Sequence, residues 1–376
     1  MKRLSILLGS LLVVGAISYA KEAVVAPVIV EELKEVIVAP VIVEEEPGFR
    51  PSGYVDLQYK YYGKTENAGN TKILDWNKDN NNRSRMQLLG SIKFTENQTF
   101  QYRVRNFKSL DTASKQGDAE KNTQTRLRYF YDHGNLGDSK IDFTSRLQYF
   151  SHLSNRQSVE YMARFDFAKY FPENVTSFVI SPKYGYDWAS TNDSNYYNYI
   201  GADLSTWTEL PLGFEFEFNV YATQKYYGQD QAFGGHYSSD DKTLAQKIAK
   251  GAKAKDKNFV VEVEAYIYNT INLYKDSTWT FDFNFEGGFD PYTFSQNKLF
   301  GYRHNIDDIK WSNINDKNSY SAYMLPNVTV KYKVTDNFGV YAGVGADYRN
   351  WDYVAEKTAS TWRWQPQAWA GMKATF

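Results

Sequence analysis

The chain has 376 residues, 17% of them aromatic and 23% charged, with a formal net charge of -1, a mean hydropathy of -0.58 and no cysteine. The lack of cysteine excludes disulfide scaffolds and thiolate metal sites, and a near-neutral balance without a basic domain argues against nucleic acid as a partner. Past residue 20 no apolar run approaches the ~18 residues of a helical membrane span, and the aromatic content excludes general disorder, which leaves a soluble all-β protein or a membrane β-barrel.

Residues 1–20 read as a secretory signal peptide. Lys2 and Arg3 open it, Leu4 to Ile17 is apolar, and Ser18 and Ala20 put small residues at the -3 and -1 positions of a cleavage site. Export follows as an expectation, to the extracellular or periplasmic side of a bacterium. Residues 21–50 differ in composition. Val25-Ala26-Pro27-Val28-Ile29-Val30-Glu31-Glu32 recurs as Val38 to Glu45, and Pro27, Pro40 and Pro47 break any helix. This Val/Pro/Glu-rich stretch is expected to be a disordered periplasmic arm, a spacer or a tether.

Residues 51–376 carry one repeating pattern. Segments of about ten residues alternate apolar and polar side chains, as half-buried strands do. Val55-Asp56-Leu57-Gln58-Tyr59-Lys60-Tyr61, Phe214-Glu215-Phe216-Glu217-Phe218 and Trp279-Thr280-Phe281-Asp282-Phe283 are examples. Short turns are expected near 95–98, 133–138, 171–174, 209–213, 274–277 and 335–337. Longer connections are expected near 63–82, 110–122, 151–157, 188–195, 226–258, 290–319 and 350–361. The implied fold is a transmembrane antiparallel up-and-down β-barrel of 14 strands, with 12 or 16 as alternatives. Backbone groups in hydrocarbon have no water to bond, so a spanning sheet must close. Pro182 and Pro326 fall inside expected strands, and the stretches 175–187 and 196–208 alternate poorly. The pairs Tyr61-Tyr62, Tyr149-Phe150, Tyr170-Phe171 and Tyr226-Tyr227 are placed at strand ends, as aromatic girdles are. The last strand ends on Phe376, with Ala368, Ala370, Met372 and Ala374 on the same face.

If the apolar face of each strand meets lipid, the other face meets a lumen. Parity then assigns Arg85, Arg103, Arg105, Arg126, Arg128, Arg146 and Arg164 to the pore lining on strands two to six. It assigns Glu215, Glu217, Glu262, Glu264, Asp282 and Glu286 to the lining on strands nine to eleven. The two groups fall on roughly opposite walls, and low-dielectric walls would focus a field between them. The competing expectation is local neutralisation, with Glu160 and Asp166 flanking the Arg164 face. The long connection holds a basic helix candidate over Asp240 to Lys257, suited to the pore mouth or to anionic lipopolysaccharide.

The signal, the Val/Pro/Glu arm, the entry Phe49-Arg50-Pro51-Ser52-Gly53-Tyr54-Val55-Asp56-Leu57-Gln58-Tyr59-Lys60-Tyr61-Tyr62-Gly63 and Val104-Arg105-Asn106-Phe107 resemble the fusobacterial major outer-membrane porins of the FomA type. The resemblance implies a voltage-sensitive diffusion porin, a homotrimer, passing small hydrophilic solutes and ions. It also implies exposed loops that take part in adhesion to other cells. The alternative is a surface adhesin or receptor that uses the barrel as a scaffold.

No enzyme, cofactor or metal site is expected. Acyl transfer needs a nucleophile, a base and an orienting group in contact, and the chain has four histidines. Ser151-His152 is a sequence neighbour pair, and His133 is assigned to a short turn. His304 with Asp307 and Asp308 is the best of a weak set. Asp75, Asn77 and Asp79 lack the glycine that a calcium loop needs.

Overall fold

The structure is a computed structural model that describes residues 49–66, 82–110, 123–152, 156–189, 192–233, 253–297, 318–350 and 362–376. The signal peptide and nearly all of the arm, Asp75–Asp79 and His304–Asp308 lie outside them. Phe49–Phe376 forms one compact unit.

The strands are β1 (Ser52–Tyr62), β2 (Arg83–Lys93), β3 (Gln98–Ser109), β4 (Thr123–Asn135), β5 (Asp142–Ser151), β6 (Arg156–Asp166), β7 (Val175–Ala189) and β8 (Asn192–Leu210). They continue with β9 (Phe214–Phe233), β10 (Lys253–Lys275), β11 (Trp279–Ser295), β12 (Asn318–Met324), β13 (Asn327–Thr335), β14 (Phe338–Asn350) and β15 (Trp362–Thr375). Apart from β12 and β13, each pairs antiparallel with its neighbour in sequence, β10 pairs with β11, and β1 pairs with both β2 and β15. The sheet therefore closes on itself. β12 and β13 both pair with β11 on one side and β14 on the other. They are two halves of one stave, so the wall is a 14-strand antiparallel barrel. At the seam of the chain ends, Gly53 N–H donates to the Phe376 carbonyl at 2.9 Å and Phe376 N–H returns to Gly53 at 3.0 Å.

The prolines mark where the ladder gives way. Pro326 has no N–H to donate, and the stave stops at Met324 and resumes at Asn327. Pro182 stays within β7, but the β6–β7 register skips from Met162–Lys183 to Phe165–Ile180 around it. Pro291 in β11 falls at a register shift between Phe289 and Tyr292, where a bulge tolerates it. At the β10–β11 turn, the Asp276 carboxylate accepts N–H bonds from Trp279 at 2.6 Å and Thr278 at 2.7 Å and the Tyr274 hydroxyl at 2.7 Å. Those donors, the Trp279 N–H first, hold its carboxyl below the usual carboxylate range.

One face of the wall is apolar and exposed, the other polar and shielded. Met86, Tyr184 and Val344 on the first face are 48%, 53% and 61% exposed, while Gln87, Asp203 and Asn219 on the second are 6%, 6% and 3% exposed. This is the reverse of a soluble protein and the arrangement of a barrel set in a bilayer. Exposed aromatics cluster near both rims. Phe94, Tyr170, Phe171, Tyr274 and Trp279 lie towards the short turns, and Tyr186, Tyr226, Trp362 and Trp364 towards the long connections.

Several expected boundaries move. β9 reaches Phe233 and β10 begins at Lys253, so the connection expected at 226–258 is shorter. β11 likewise reaches Ser295. Lys253, Lys255 and Lys257 are strand residues, not part of a basic helix, and the rest of that candidate lies outside the described residues. His133 belongs to β4, whose last residue is Asn135. The paired aromatics do not act as pairs. In a strand adjacent side chains take opposite faces, so Tyr226 is exposed while Tyr227 packs on Tyr197 inside the barrel. Only Tyr170-Phe171, in the β6–β7 turn, presents both rings to the outside.

Candidate functional site

Cross-strand register fixes which side chains share a face, because directly opposed residues point the same way. Starting from Arg85, the register runs to Phe107, and along β3 to Arg105 and Arg103. Arg103 opposes Arg126, and Arg128 follows on β4. Phe130 opposes Arg146 on β5, and Thr144 opposes Arg164 on β6. Continuing round the wall, Glu215 and Glu217 on β9 oppose Tyr268 and Tyr266, Asn219 opposes Glu264, and Tyr221 opposes Glu262. Tyr268 in turn opposes Glu286, and Asn272 opposes Asp282. All thirteen predicted residues therefore share the polar face, although Glu262 is exposed there. The centres of the two groups, β4 and β10, are six staves apart one way and eight the other.

Arg85, Arg103, Arg105 and Arg128 of the first group rest on neutral amides. Arg85 donates to Gln58 at 2.8 Å, Arg105 Nε to Gln87 at 2.6 Å, Arg103 to Gln124 at 3.3 Å and Arg128 Nε to Gln148 at 2.6 Å. A glutamine oxygen orients a guanidinium without cancelling its charge. Arg146 is different, for it pairs with Glu160. The expected flanking acids do not neutralise Arg164. Glu160 is taken by Arg146 and by the Tyr199 hydroxyl at 3.0 Å, while Asp166 caps its own turn through the N–H groups of Ala168 and Phe178. Arg164 instead lies over the Phe130 ring at 5.9 Å.

The acids of the second group rest on tyrosine hydroxyls. Tyr221 donates to Glu264 at 3.0 Å, Tyr268 to Glu217 at 2.8 Å, and Tyr323 to Glu286. Hydrogen bonds to an ionised acceptor are the stronger class, yet a neutral phenol leaves the carboxylate charge in place. Asp282 departs from this pattern. Lys331 binds it at 2.8 Å and Asn272 at 2.9 Å, so its charge is locally paired.

Between the two arcs, charges meet directly. Lys183 bonds Asp203 at 2.6 Å, and Arg156 Nε bonds Asp187 at 2.6 Å. On the far side Lys331–Asp282 is the corresponding pair.

Sequence parity missed both sets of neutral partners. Gln87, Gln124 and Gln148 were legible, since they sit an even number of residues from an arginine on their own strand. Tyr221 and Tyr268 share the parity of the glutamates on β9 and β10, but parity gives a face and not a partner. Tyr197 and Tyr199 on the polar face also explain why 196–208 alternates poorly.

Among the described residues, Ser151 and His152 do not assemble a catalytic group. Ser151 and His152 are neighbours with opposite facing. His152 Nε2 is 3.5 Å from Ser158 and 3.7 Å from Asp187. Both neighbours approach the same nitrogen, whereas a triad places nucleophile and acid on different ones.

No protein-family model and no curated protein sequence matches the chain. Solved structures similar in shape include a bacterial polysaccharide outer-membrane secretin, with 10% identity, a TM-score of 0.40, and coverage of 86% of this chain and 98% of that one. The outer-membrane channel DcaP of Acinetobacter baumannii matches at 9% identity and a TM-score of 0.35, over 87% and 96% of the two chains. The outer-membrane protein OmpT of Vibrio cholerae matches at 8% and 0.34, over 87% and 97%. At these identities and scores the likeness does not extend to function.

Proposed function

We propose that the protein is an outer-membrane diffusion channel passing small hydrophilic solutes and ions through a charged lumen. The supporting observation is that the arginine and carboxylate arcs share the interior face and that Arg85, Arg103, Arg105 and Arg128 on one, and Glu217, Glu264 and Glu286 on the other, are held by neutral partners. Arg146 and Asp282 are in ion pairs, and the rest of each arc keeps its sign. Eight strands leave an interior filled by side chains, and sixteen to eighteen leave an aqueous pore. Fourteen fit a narrower, wet passage across which opposed charges set up a transverse field. Arg85, Arg103, Arg105, Arg126, Arg128, Arg146 and Arg164 are its basic lining, and Glu215, Glu217, Glu262, Glu264 and Glu286 its acidic lining, with Asp282 in a pair.

The resemblance to the FomA-type porins adds voltage sensitivity and a homotrimer to the reading. With it go an exported chain whose signal ends at residue 20 and a periplasmic arm over 21–50. Single-channel recording from detergent-folded protein in planar bilayers tests the proposal. Discrete conductance steps are expected, and a folded barrel that carries no ion current ends it.

A second reading has its own observation. A tilted bilayer crossing takes about 9–11 residues, whereas β8, β9 and β10 have 19, 20 and 23. The outer row of β10, apolar apart from Asn269, runs from Phe259 to Leu273, so the surplus lies at the long-connection end. A ribbon standing clear of the membrane suits an adhesin or receptor for other cells. Removing 228–257 should abolish cell binding without changing conductance if that role is real.

A further inference from the structure

The arginine arc has a geometry that charge alone does not require. Arg103 on β3 and Arg126 on β4 are directly opposed. In a ladder such like-charge pairs are destabilising, and no carboxylate bonds either one among the described residues. One row to either side, Arg105 opposes Gln124 and Arg128 opposes Gln101. The four guanidinium groups thus follow a diagonal from Arg105 through the opposed pair to Arg128. Rows on one face are about 7 Å apart along the strand, and opposed Cα atoms about 5 Å apart across it.

The glutamines set the direction of the guanidinium groups. Gln87 takes the Nε–H of Arg105 and Gln148 the Nε–H of Arg128, each at 2.6 Å. In both residues the terminal fork then has no acceptor among the described residues. A fixed, unoccupied guanidinium fork matches a carboxylate or phosphate bidentately. At two other interior arginines that position is filled, for Glu160 takes Arg146 and Asp187 takes Arg156. The difference lies in the partner: an amide orients the fork and leaves its charge available, whereas a carboxylate consumes it.

We infer that Arg105, Arg126 and Arg128, with Arg103, form a binding track for solutes that carry two or more anionic oxygen groups about 5–7 Å apart. This rests on the diffusion-channel reading and names the solute class that its basic wall favours. Monovalent anions satisfy one fork at a time and gain nothing from the spacing. A compact polyanion bridges two forks and relieves the repulsion between Arg103 and Arg126.

The test uses citrate and pyrophosphate as probes, with acetate as the monovalent control. In planar bilayers the two polyanions should block the current at concentrations where acetate does not. The variant Arg105→Gln/Arg126→Gln/Arg128→Gln should raise the half-blocking concentration by about tenfold or more, the loss of one good anion contact. Equal block by all three anions, or unchanged block in the variant, overturns the track. Calorimetric titration into the detergent-folded barrel reads binding without conduction. Citrate or pyrophosphate bound by a barrel that carries no current supports the track and sinks the channel reading. A conducting barrel that binds neither does the reverse. Heat-modifiable migration confirms that the variant folds, and Arg126→Gln alone, which leaves both glutamine-held forks intact, should weaken binding by a smaller factor.

Discussion

The wall around β3 and β4 and the wall around β9 to β11 solve one problem with opposite chemistry. Each must hold several like charges beside a narrow interior. The basic wall does so with glutamine oxygens, which accept from Arg103, Arg105 and Arg128. The acidic wall uses phenol hydroxyls, which donate to Glu217, Glu264 and Glu286. The partner in each case is neutral and has the polarity that the charge requires. Where the walls meet, at Lys183–Asp203 and Lys331–Asp282, the chain uses ion pairs instead. The contrast teaches that charge in this interior is placed by its partners: ion pairs silence it at the seams and at Arg146–Glu160, and neutral partners preserve it at Arg103, Arg105, Arg128, Glu217, Glu264 and Glu286.

The most direct way to break the comparison is to erase the basic wall. Replacing Arg103, Arg105, Arg126 and Arg128 by glutamine removes four charges with no compensating carboxylate lost. Reversal potentials under a salt gradient should move strongly towards cation selectivity. An unmoved reversal potential would mean that these arginines do not face the ion path. The converse change, Glu217→Gln/Glu264→Gln/Glu286→Gln, should shift selectivity towards anions. A smaller shift is expected, because three charges are removed in place of four.

Much of this geometry is legible in the amino-acid sequence. Period-two alternation placed the strands, and parity alone put Arg103 and Glu217 on the same face of the sheet. The number of staves followed from the alternation of short and long connections. Parity failed where one rule of composition met another. Tyr199, Tyr221 and Tyr268 break the apolar-out alternation, because a phenol is amphipathic and can serve a carboxylate from the inner face. Partner choice was also out of reach, since Glu160 lies near several arginines in sequence terms and only register gives it to Arg146. Strand ends at β9 and β10 were misread because a strand that leaves the bilayer keeps its ladder but loses its apolar row.

The comparison is sharpened by removing a neutral partner rather than a charge. Tyr221→Phe deletes the donor to Glu264, and Gln148→Leu deletes the acceptor for Arg128 Nε. A hydrogen bond to a charged group contributes about 1.5–3 kcal/mol, and water in the interior should replace part of it. Each variant should therefore lose about 1–2 kcal/mol in urea unfolding from lipid vesicles, with the reversal potential close to that of the unaltered protein. If Tyr221→Phe changed selectivity as much as Glu264→Gln does, the phenol would be setting the charge of its partner and not merely its direction.

The smallest effect is expected at the seam, and it is the most discriminating. Lys183 and Asp203 lie 2.6 Å apart, with side chains only 8% and 7% exposed. At that separation the two charges present a short dipole to a passing ion, and its field falls off much faster than that of a lone guanidinium. The double variant Lys183→Gln/Asp203→Asn keeps polar side chains of similar size and removes one charge of each sign. Reversal potential and polyanion block should both stay where they are. Single variants at the same pair should not be silent, because each leaves a lone shielded charge on the interior face. Asp203→Asn should move selectivity towards anions and Lys183→Gln towards cations. A double variant that shifted selectivity as far as either single one would show that proximity does not cancel charge in this interior, and the division into silent seams and charged walls would fall with it.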